Sequence, residues 1–338
     1  MLITTINQFV TQHALVAPHQ TIIVGFSGGP DSLFLLHYLR SIQASYHLTL
    51  IAAHLDHEWR ADSVNDRLFC ERYCKDNNIQ LVSCGASSLA IDLPKTGSKE
   101  EMGRVLRRTF FQRVKKQFDA DTIALAHHLD DQLETFFIRL LRGASITGLG
   151  SMRPRHGEYI RPLLCARKHA ILNYLAQQNI TYVIDPTNTS QNYLRNRVRH
   201  ALVPALEQID KRYFNSIVHV IAHVQDTDIF LQKLAHNTLG ACTGIDKSLS
   251  LKKFLALDLF LQKQVLIQWL CAHQVIFVLS TRFIDEILRF FSNTKSTTHH
   301  FNTWAITKKY GFATIIHHTH QTKDYAKQEL DPEPTPAD

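Results

Sequence analysis

The sequence predicts an α/β protein: a doubly wound parallel sheet with helices on both faces, followed by a second, mainly helical domain that ends in a small β-hairpin. Three observations predict it. Short runs of branched apolar residues alternate strictly with amphipathic helical stretches between Thr21 and Ile184. Beyond Arg212 the alternation stops and helical periodicity takes over. The 338 residues, 45% of them hydrophobic, are enough for two cores.

The strand candidates are Thr21–Phe26, Leu48–Ala53, Ile79–Cys84 and Thr122–Ala126, with a fifth at Thr181–Ile184. Each is short and apolar on both faces, as strands buried between two helical layers are. Helical stretches at Leu33–Ser41, Asp62–Asn77, Glu100–Gln117, Asp130–Arg142 and His169–Gln178 separate or precede them. Strand and helix in alternation imply right-handed crossovers and a ligand site at the carboxyl ends of the strands. In the second part, Asn215–Gly240, Leu251–His273 and Thr281–Ser292 read as helices, the last capped by Ser280. A hairpin over Thr303–Thr307 and Phe312–His317 turns at Lys308-Lys309-Tyr310-Gly311. These limits give a first domain over 1–212, a second over 213–322, and an acidic, proline-ended tail over 323–338 expected to be disordered.

Net charge is +7, and its placement is uneven. Through Arg212 there are 25 Lys and Arg against 19 Asp and Glu, and 18 of the 20 arginines lie there. Arginine is suited to bidentate phosphate contact, so the first domain fits either a polyanionic partner or a merely basic surface. The six cysteines form no C-x-x-C pair, which argues against a zinc ribbon or iron–sulfur site and fits reduced thiols. Cys70 and Cys74, four apart in a helical pattern, read as half-buried structural residues. The N-terminus lacks the basic start and apolar core of a signal peptide, and no run approaches the ~20 apolar residues of a membrane span. A cytoplasmic enzyme with no membrane partner is the expectation, and the oligomeric state stays open between monomer and homodimer.

The most informative motif is Ser27-Gly28-Gly29-Pro30-Asp31-Ser32, between an apolar strand and an apolar helix. Two glycines let backbone N–H groups converge on an anion at a helix N-terminus. Pro30 suits the first helical turn, and Ser27 and Ser32 add hydroxyl donors. The loop has no lysine, unlike a Walker A loop, and so suits attack at the α-phosphate with pyrophosphate as leaving group. The plain alternative is a glycine-rich turn that binds nothing.

The loop resembles the SGGxDS signature of the PP-loop ATP pyrophosphatases, whose fold is the Rossmann-like adenine nucleotide alpha hydrolase type. Later segments narrow the resemblance to the tRNA(Ile)-lysidine synthase family, and they occur in the same order. His54-Leu55-Asp56-His57 is similar to the family's H-x-D-H segment, and Glu100, Arg104 and Arg107 reproduce its E-x3-R-x2-R pattern, although Arg108 stands where the family has an aromatic. His127-His128-Leu129-Asp130-Asp131-Gln132-Leu133-Glu134-Thr135 resembles HHxDDQxET. Arg139-x2-Arg142-Gly143, Gly148-Leu149, Met152 and Arg161-Pro162-Leu163-Leu164 with Arg167 follow. Asp185-Pro186-Thr187-Asn188 and Tyr193-Leu194-Arg195-Asn196-Arg197-Val198-Arg199 resemble the segment that closes the family's catalytic domain.

Residue chemistry alone leaves each of these open. Asp56 suits Mg²⁺, a ribose or a simple strand end; Glu100, Arg104 and Arg107 form a charged helix face; and Asp131 with Glu134 could be helix-start capping. The resemblance implies more. Ser27 to Ser32, His54, Asp56 and His127 would bind ATP, with Mg²⁺ on Asp31 and Asp56. Asp31, Asp130, Asp131, Glu134 and Arg195 would carry the chemistry, and Glu100, Arg104, Arg107, Asp131, Glu134 and Arg199 would meet the substrates. Those substrates would be tRNA(Ile) with a CAU anticodon and free L-lysine, ligated through an adenylated wobble cytidine with release of AMP and pyrophosphate. The rivals are a tRNA thiolase, which generally uses C-x-x-C cysteines, a glutamine-dependent amidotransferase, which would need a glutaminase domain, and a nucleotide- or RNA-binding module without activity.

Overall fold

The computed structural model describes residues 1–60, 62–91, 99–184 and 194–318, the side chain of Glu100 excepted. Asp185 to Asn188, Tyr193 and the 323–338 tail fall outside them. The chain forms two compact units, Met1–Ala222 and a second beginning at His223.

In the first unit, helix α1 (Leu2–Gln12) precedes β1 (Thr21–Gly25), α2 (Pro30–Tyr46), β2 (Thr49–Asp56), α3 (Ser63–Asp76) and β3 (Gln80–Gly85). Then come α4 (Lys99–Gln117), β4 (Thr122–Ala124), α5 (Leu129–Leu141) and the single turn α6 (Ile146–Leu149). A two-residue-per-strand hairpin, β5 (Arg155–His156) and β6 (Tyr159–Ile160), leads to α7 (Lys168–Gln177), α8 (Leu194–Arg197), a π-helical turn (Val198–Leu202) and α9 (Val203–Ile209). The strand order is β3-β2-β1-β4-β6-β5, parallel throughout except for the β5–β6 pair. The predicted doubly wound sheet is thus present.

The sheet faces carry separate apolar layers, as strands buried on both sides require. Ile22 and Val24 point to Leu33, Leu36, Leu39 and Ile171, while Ile23, Ile51 and Ile123 point to Leu106, Phe110 and Val114. Residues on alternate strand positions therefore feed opposite cores. Cys70 and Cys74 are structural residues of the first of these layers and are fully buried, deeper than the half-buried position their spacing suggested.

One expectation fails here. Thr181–Ile184 is not a strand. The edge beside β4 is taken by β6, and the Val183 N–H is spent on the Gly28 carbonyl at 2.9 Å, which commits the segment to the glycine loop. The β5–β6 hairpin was not anticipated because two-residue strands carry no periodicity.

The second unit contains most of α10 (Tyr213–Cys242), then β7 (Leu249–Ser250), α11 (Leu251–Leu255), α12 (Leu259–Ala272), α13 (Thr281–Ser292), β8 (Thr298–His300), β9 (Trp304–Lys309) and β10 (Phe312–His317). The expected helix Leu251–His273 is two helices. Asp258, extended at ψ 145°, breaks the run. The Ser280 cap is present, its hydroxyl accepting from Phe283 N at 3.2 Å. The hairpin is present too, within a four-stranded sheet of order β7-β10-β9-β8. Trp269, Phe254, Phe291, Ile287 and Trp304 form its core. Among the described residues no helix is long and apolar enough to cross a membrane.

Candidate active site

The site grows from the end of β1. Phe26 continues the strand by donating to Ala53 O at 2.9 Å, and the chain then turns through Ser27 and Gly28. Gly28 has φ +80°, and a Cβ there would meet Cys70 Sγ at 3.1 Å and Phe69 and Val183 at 3.2 Å. Only glycine satisfies both conditions. Gly29 caps α2 with ordinary extended dihedrals, and Pro30 occupies the first turn as expected. Ser32 Oγ donates to Gly29 O at 3.0 Å and accepts from Ser27 N at 3.1 Å; it also lies 3.1 Å from Ser27 Oγ. The two hydroxyls therefore brace the loop, while the first-turn amides of α2 face outward by helix geometry.

At the end of β2, His54 is buried and its Nδ1 meets Phe26 O at 2.9 Å, tying the two strand ends together. Burial pulls the imidazole below its ordinary range, partly offset by that bond. Asp56 Oδ1 accepts from Glu58 N at 2.8 Å, and the Glu58 carboxylate accepts from Ser87 N at 2.7 Å, so the chain leaving β2 is tied to the end of β3. His57 stacks on Trp59 with ring centroids 4.5 Å apart, and burial followed by the charge of Arg107 lowers it to about 4. The indole lies on α4, where a Cβ on Gly103 would meet it at 2.7 Å. Arg107 on the same helix thus acts on this aromatic pair, while the charge of Arg104 acts on His127.

The β4–α5 junction holds the densest constellation. His128, 3% exposed, is the N-cap of α5: its Nδ1 accepts from Asp131 N at 3.3 Å, and Asp131 Oδ2 accepts from His128 N at 2.9 Å. This is a capping box with histidine in the serine position. The capping pair is thus His128 with Asp131, which frees Glu134 from that task. Burial raises the Asp131 carboxyl, but His128, His127, Arg195 and the accepted backbone N–H outweigh it and leave the group at about 2. His127 is driven down to about 3 by burial and then by the charge of Arg161.

Glu134 is 3% exposed and gripped from two sides. Arg199 holds it with both arms of its fork, Nε to Oε1 at 2.7 Å and Nη2 to Oε2 at 3.0 Å, and Arg195 Nε lies 3.5 Å from Oε2. Arg195 also donates to Thr135 Oγ1 at 3.2 Å. Arg199 sits in the π-helical turn that follows Arg195, an irregularity that carries its guanidinium within 3.8 Å of Asp131 as well. Asp130 faces a different element from Glu134. Asp130 Oδ2 accepts from Lys168 N at 2.7 Å and Oδ1 from Arg167 Nε at 3.2 Å, which pins the start of α7 to the start of α5.

Lys168 is the residue that sequence reasoning missed. Its Nζ lies 2.6 Å from both carboxylate oxygens of Asp31, across 137 residues of chain. His128 Nε2 is 3.8 Å from the same carboxylate. No local signal marks Lys168, which reads as one cation at the start of a helix. Arg139 and Arg161, by contrast, serve the fold: Arg139 donates to Gly148 O at 2.7 Å and Arg161 to Arg153 O at 3.1 Å, both buried.

Of the predicted residues, the structure brings Asp31, Asp130, Asp131, Glu134, Arg195 and Arg199 into one connected network through His128 and Lys168. His54 and Asp56 stand on the adjoining strand end, Arg104 and Arg107 on α4, and no described hydrogen bond or ion pair joins Asp31 to Asp56. Among the described residues no three His, Cys, Asp or Glu side chains gather as a metal-binding group. An Mg²⁺ here would take most of its ligands from phosphate oxygens and water, with one or two carboxylates, which is that ion's usual manner. The donor chemistry of Asp31 and Asp56 fits it on those terms.

A lysine-free glycine loop at the mouth of a doubly wound sheet, faced by arginines and histidines, defines a class. The chain belongs to the PP-loop domain family, whose match spans residues 2–206. It is similar to the tRNA(Ile)-lysidine synthase of Bacillus cereus (strain ZK / E33L), 32% identical over 302 residues, which cover 86% of this chain and 63% of that protein. It is also similar to the tRNA(Ile)-lysidine synthase of Bacillus subtilis (strain 168), 33% identical over 269 residues, 77% of this chain and 57% of the relative. The chain therefore spans less than two thirds of the length of these relatives. Among solved structures, the U34-tRNA thiolase NcsA from Methanococcus maripaludis with its [4Fe-4S] cluster shares the fold, with a TM-score of 0.58, 19% identity, and coverage of 67% of this chain and 78% of that one.

Proposed function

We propose that this chain acts as a tRNA(Ile)-lysidine synthase, ligating free L-lysine to C2 of the wobble cytidine in a CAU anticodon at the expense of ATP. One observation carries the reading. The similarity to proteins of that name runs over 302 residues, far beyond the PP-loop match at 2–206, so the second unit shares it.

The arrangement suits the chemistry. The amides around Gly28 and Gly29 and the N-terminus of α2 would cradle the phosphates of ATP. Attack by the cytosine 2-oxygen on the α-phosphorus breaks the bond to the bridging oxygen, and pyrophosphate leaves with that electron pair. The lysine amine then adds at C2 of the base, and the C2–O bond breaks to release AMP. Adenylation is what makes that oxygen a leaving group. Arg195 and Arg199 would face the charge that develops on the α-phosphate, and a preorganised guanidinium is most effective in a water-poor site. Asp31 and Asp56 would hold Mg²⁺, which supplies charge neutralisation on the phosphates. Asp130, Asp131 and Glu134 give the site its negative side, suited to an incoming ammonium group, and Glu100, Arg104 and Arg107 would lie towards the RNA. The basic first unit suits a polyanion, and a cytoplasmic setting fits this substrate.

The test uses the full chain with ATP, labelled lysine and unmodified tRNA(Ile) transcript. The expected result is equimolar AMP and pyrophosphate, with lysine incorporated only when the anticodon is CAU. Production of ADP, or turnover indifferent to lysine and anticodon, overturns the reading.

A further inference from the structure

We infer that Lys168 is a phosphate ligand of the nucleotide site, the lysine that the glycine loop itself lacks, delivered from the start of α7 and aimed by Asp31. This rests on the reading that the loop binds ATP, and it adds a residue that neither the loop motif nor the later motifs contain.

The geometry supports it at three points. First, the root of the side chain is fixed: Lys168 N donates to Asp130 Oδ2 at 2.7 Å, and the neighbouring Arg167 is held by Asp130 at 3.2 Å and lies over the Phe214 ring at 3.3 Å from its centroid. Second, the ammonium is held in place. Its two contacts to Asp31, both 2.6 Å, set it at the second residue of α2, directly after Gly28, Gly29 and Pro30. Third, the ammonium has donor capacity left. A lysine carries three N–H groups. Asp31 accepts two, and among the described residues no further acceptor is bonded to Nζ. The side chains of Lys168 and Asp31 are 32% and 26% exposed, so an incoming anion can reach the remaining N–H.

Asp31 is faced by the ammonium of Lys168 and by the charge of Arg199, with the His128 imidazole 3.8 Å away. Asp130, Asp131 and Glu134 share these partners, so an anion is met by the Lys168 N–H itself and not by a surplus of positive charge. Each Asp31 oxygen keeps a second lone pair, so the carboxylate can hold the ammonium at the loop and still take Mg²⁺, and little side-chain entropy is lost when phosphate arrives.

The test is isothermal calorimetry on the full chain with Mg²⁺ and three probes: inorganic pyrophosphate, α,β-methylene-ATP and adenosine. K168M is expected to weaken both phosphate-bearing probes roughly 10- to 100-fold, the range of a charge-assisted hydrogen bond, with adenosine changed less than about twofold. K168R should recover part of the loss. Equal losses for adenosine would mean that Lys168 only props the fold, and unchanged pyrophosphate affinity in a folded K168M would mean that it does not touch phosphate; either overturns the inference. Reductive methylation of the wild-type chain, read by mass spectrometry, is the second measurement and needs no variant. Lys168 should be protected by pyrophosphate while Lys252 and Lys263 of the second unit are not, and absence of protection overturns the assignment. A wild-type chain that binds none of the three probes overturns the ATP reading itself, which separates the two failures.

Discussion

Replacing Gly28 by alanine should do what replacing Gly29 by alanine does not. Gly28 sits at φ +80°, where a side chain costs about 1–2 kcal/mol. The added methyl would also press on Cys70 Sγ at 3.1 Å and on Phe69 and Val183 at 3.2 Å, of which Cys70 and Phe69 belong to the apolar layer that Ile22 and Val24 face. Overpacking of that kind costs about 1–3 kcal/mol. Backbone retreat is hindered because Gly28 O is held by Val183 N at 2.9 Å. The expected loss is therefore roughly 2–5 kcal/mol, or about 4–20 °C in the melting temperature of a unit this size. Gly29 has φ −70°, and its nearest contact for a new Cβ is Ser27 Oγ at an ordinary 3.5 Å. Alanine there forfeits only a modest capping preference, about 1 kcal/mol or less. Urea denaturation of both variants followed by intrinsic fluorescence measures the difference, and pyrophosphate calorimetry measures whether the loop still closes on an anion. Equal stability of the two variants would refute the claim that the turn depends on glycine at position 28.

Three further outcomes follow from the site. E134Q should cost about 2–4 kcal/mol by removing the charge that Arg199 grips, somewhat below a fully buried pair because Arg199 is 36% exposed; a loss under about 0.5 kcal/mol in urea titrations would show the fork to be dispensable. His127 gives an acid limb. Its unfolded form takes a proton below the ordinary value of 6.5 while the folded form stays neutral down to about 3, so its contribution is intact above pH 6.5 and is lost as pH falls, at about 1.4 kcal/mol per unit. H127Q should flatten the stability profile between pH 6 and 4 by that slope, leaving the parallel share of His57, and an unchanged slope would mean that His127 is not buried neutral. Finally, Cys271 is exposed while Cys70 and Cys74 are buried with thiols pushed upward, Cys74 to about 12. Ellman's reagent should find Cys271 in the native chain and reach Cys70 and Cys74 only on unfolding; rapid native labelling of Cys74 would contradict the packing of α3.

Local chemistry in the sequence was enough for the four parallel strands β1 to β4, the loop and the motif positions, but not for the β5–β6 edge of the sheet. A strand buried on both faces must be apolar at every position, and a loop that closes on an anion must place glycine where φ is positive, so Ile22 to Val24 and Gly28 announce themselves without partners. The hairpin is legible at Gly311 for the same reason, whereas nothing in the sequence marks the positive φ of Tyr310 before it. Partnerships across the chain are different in kind. That His128 caps α5 with Asp131, that Glu134 is answered by Arg199 from a π-helical turn, and that Lys168 reaches Asp31 across 137 positions are outcomes of how the strand ends converge. Charge and spacing mark a residue as polar, but Coulomb attraction acts over a few ångströms, and only the packed fold decides which opposite charges come that close.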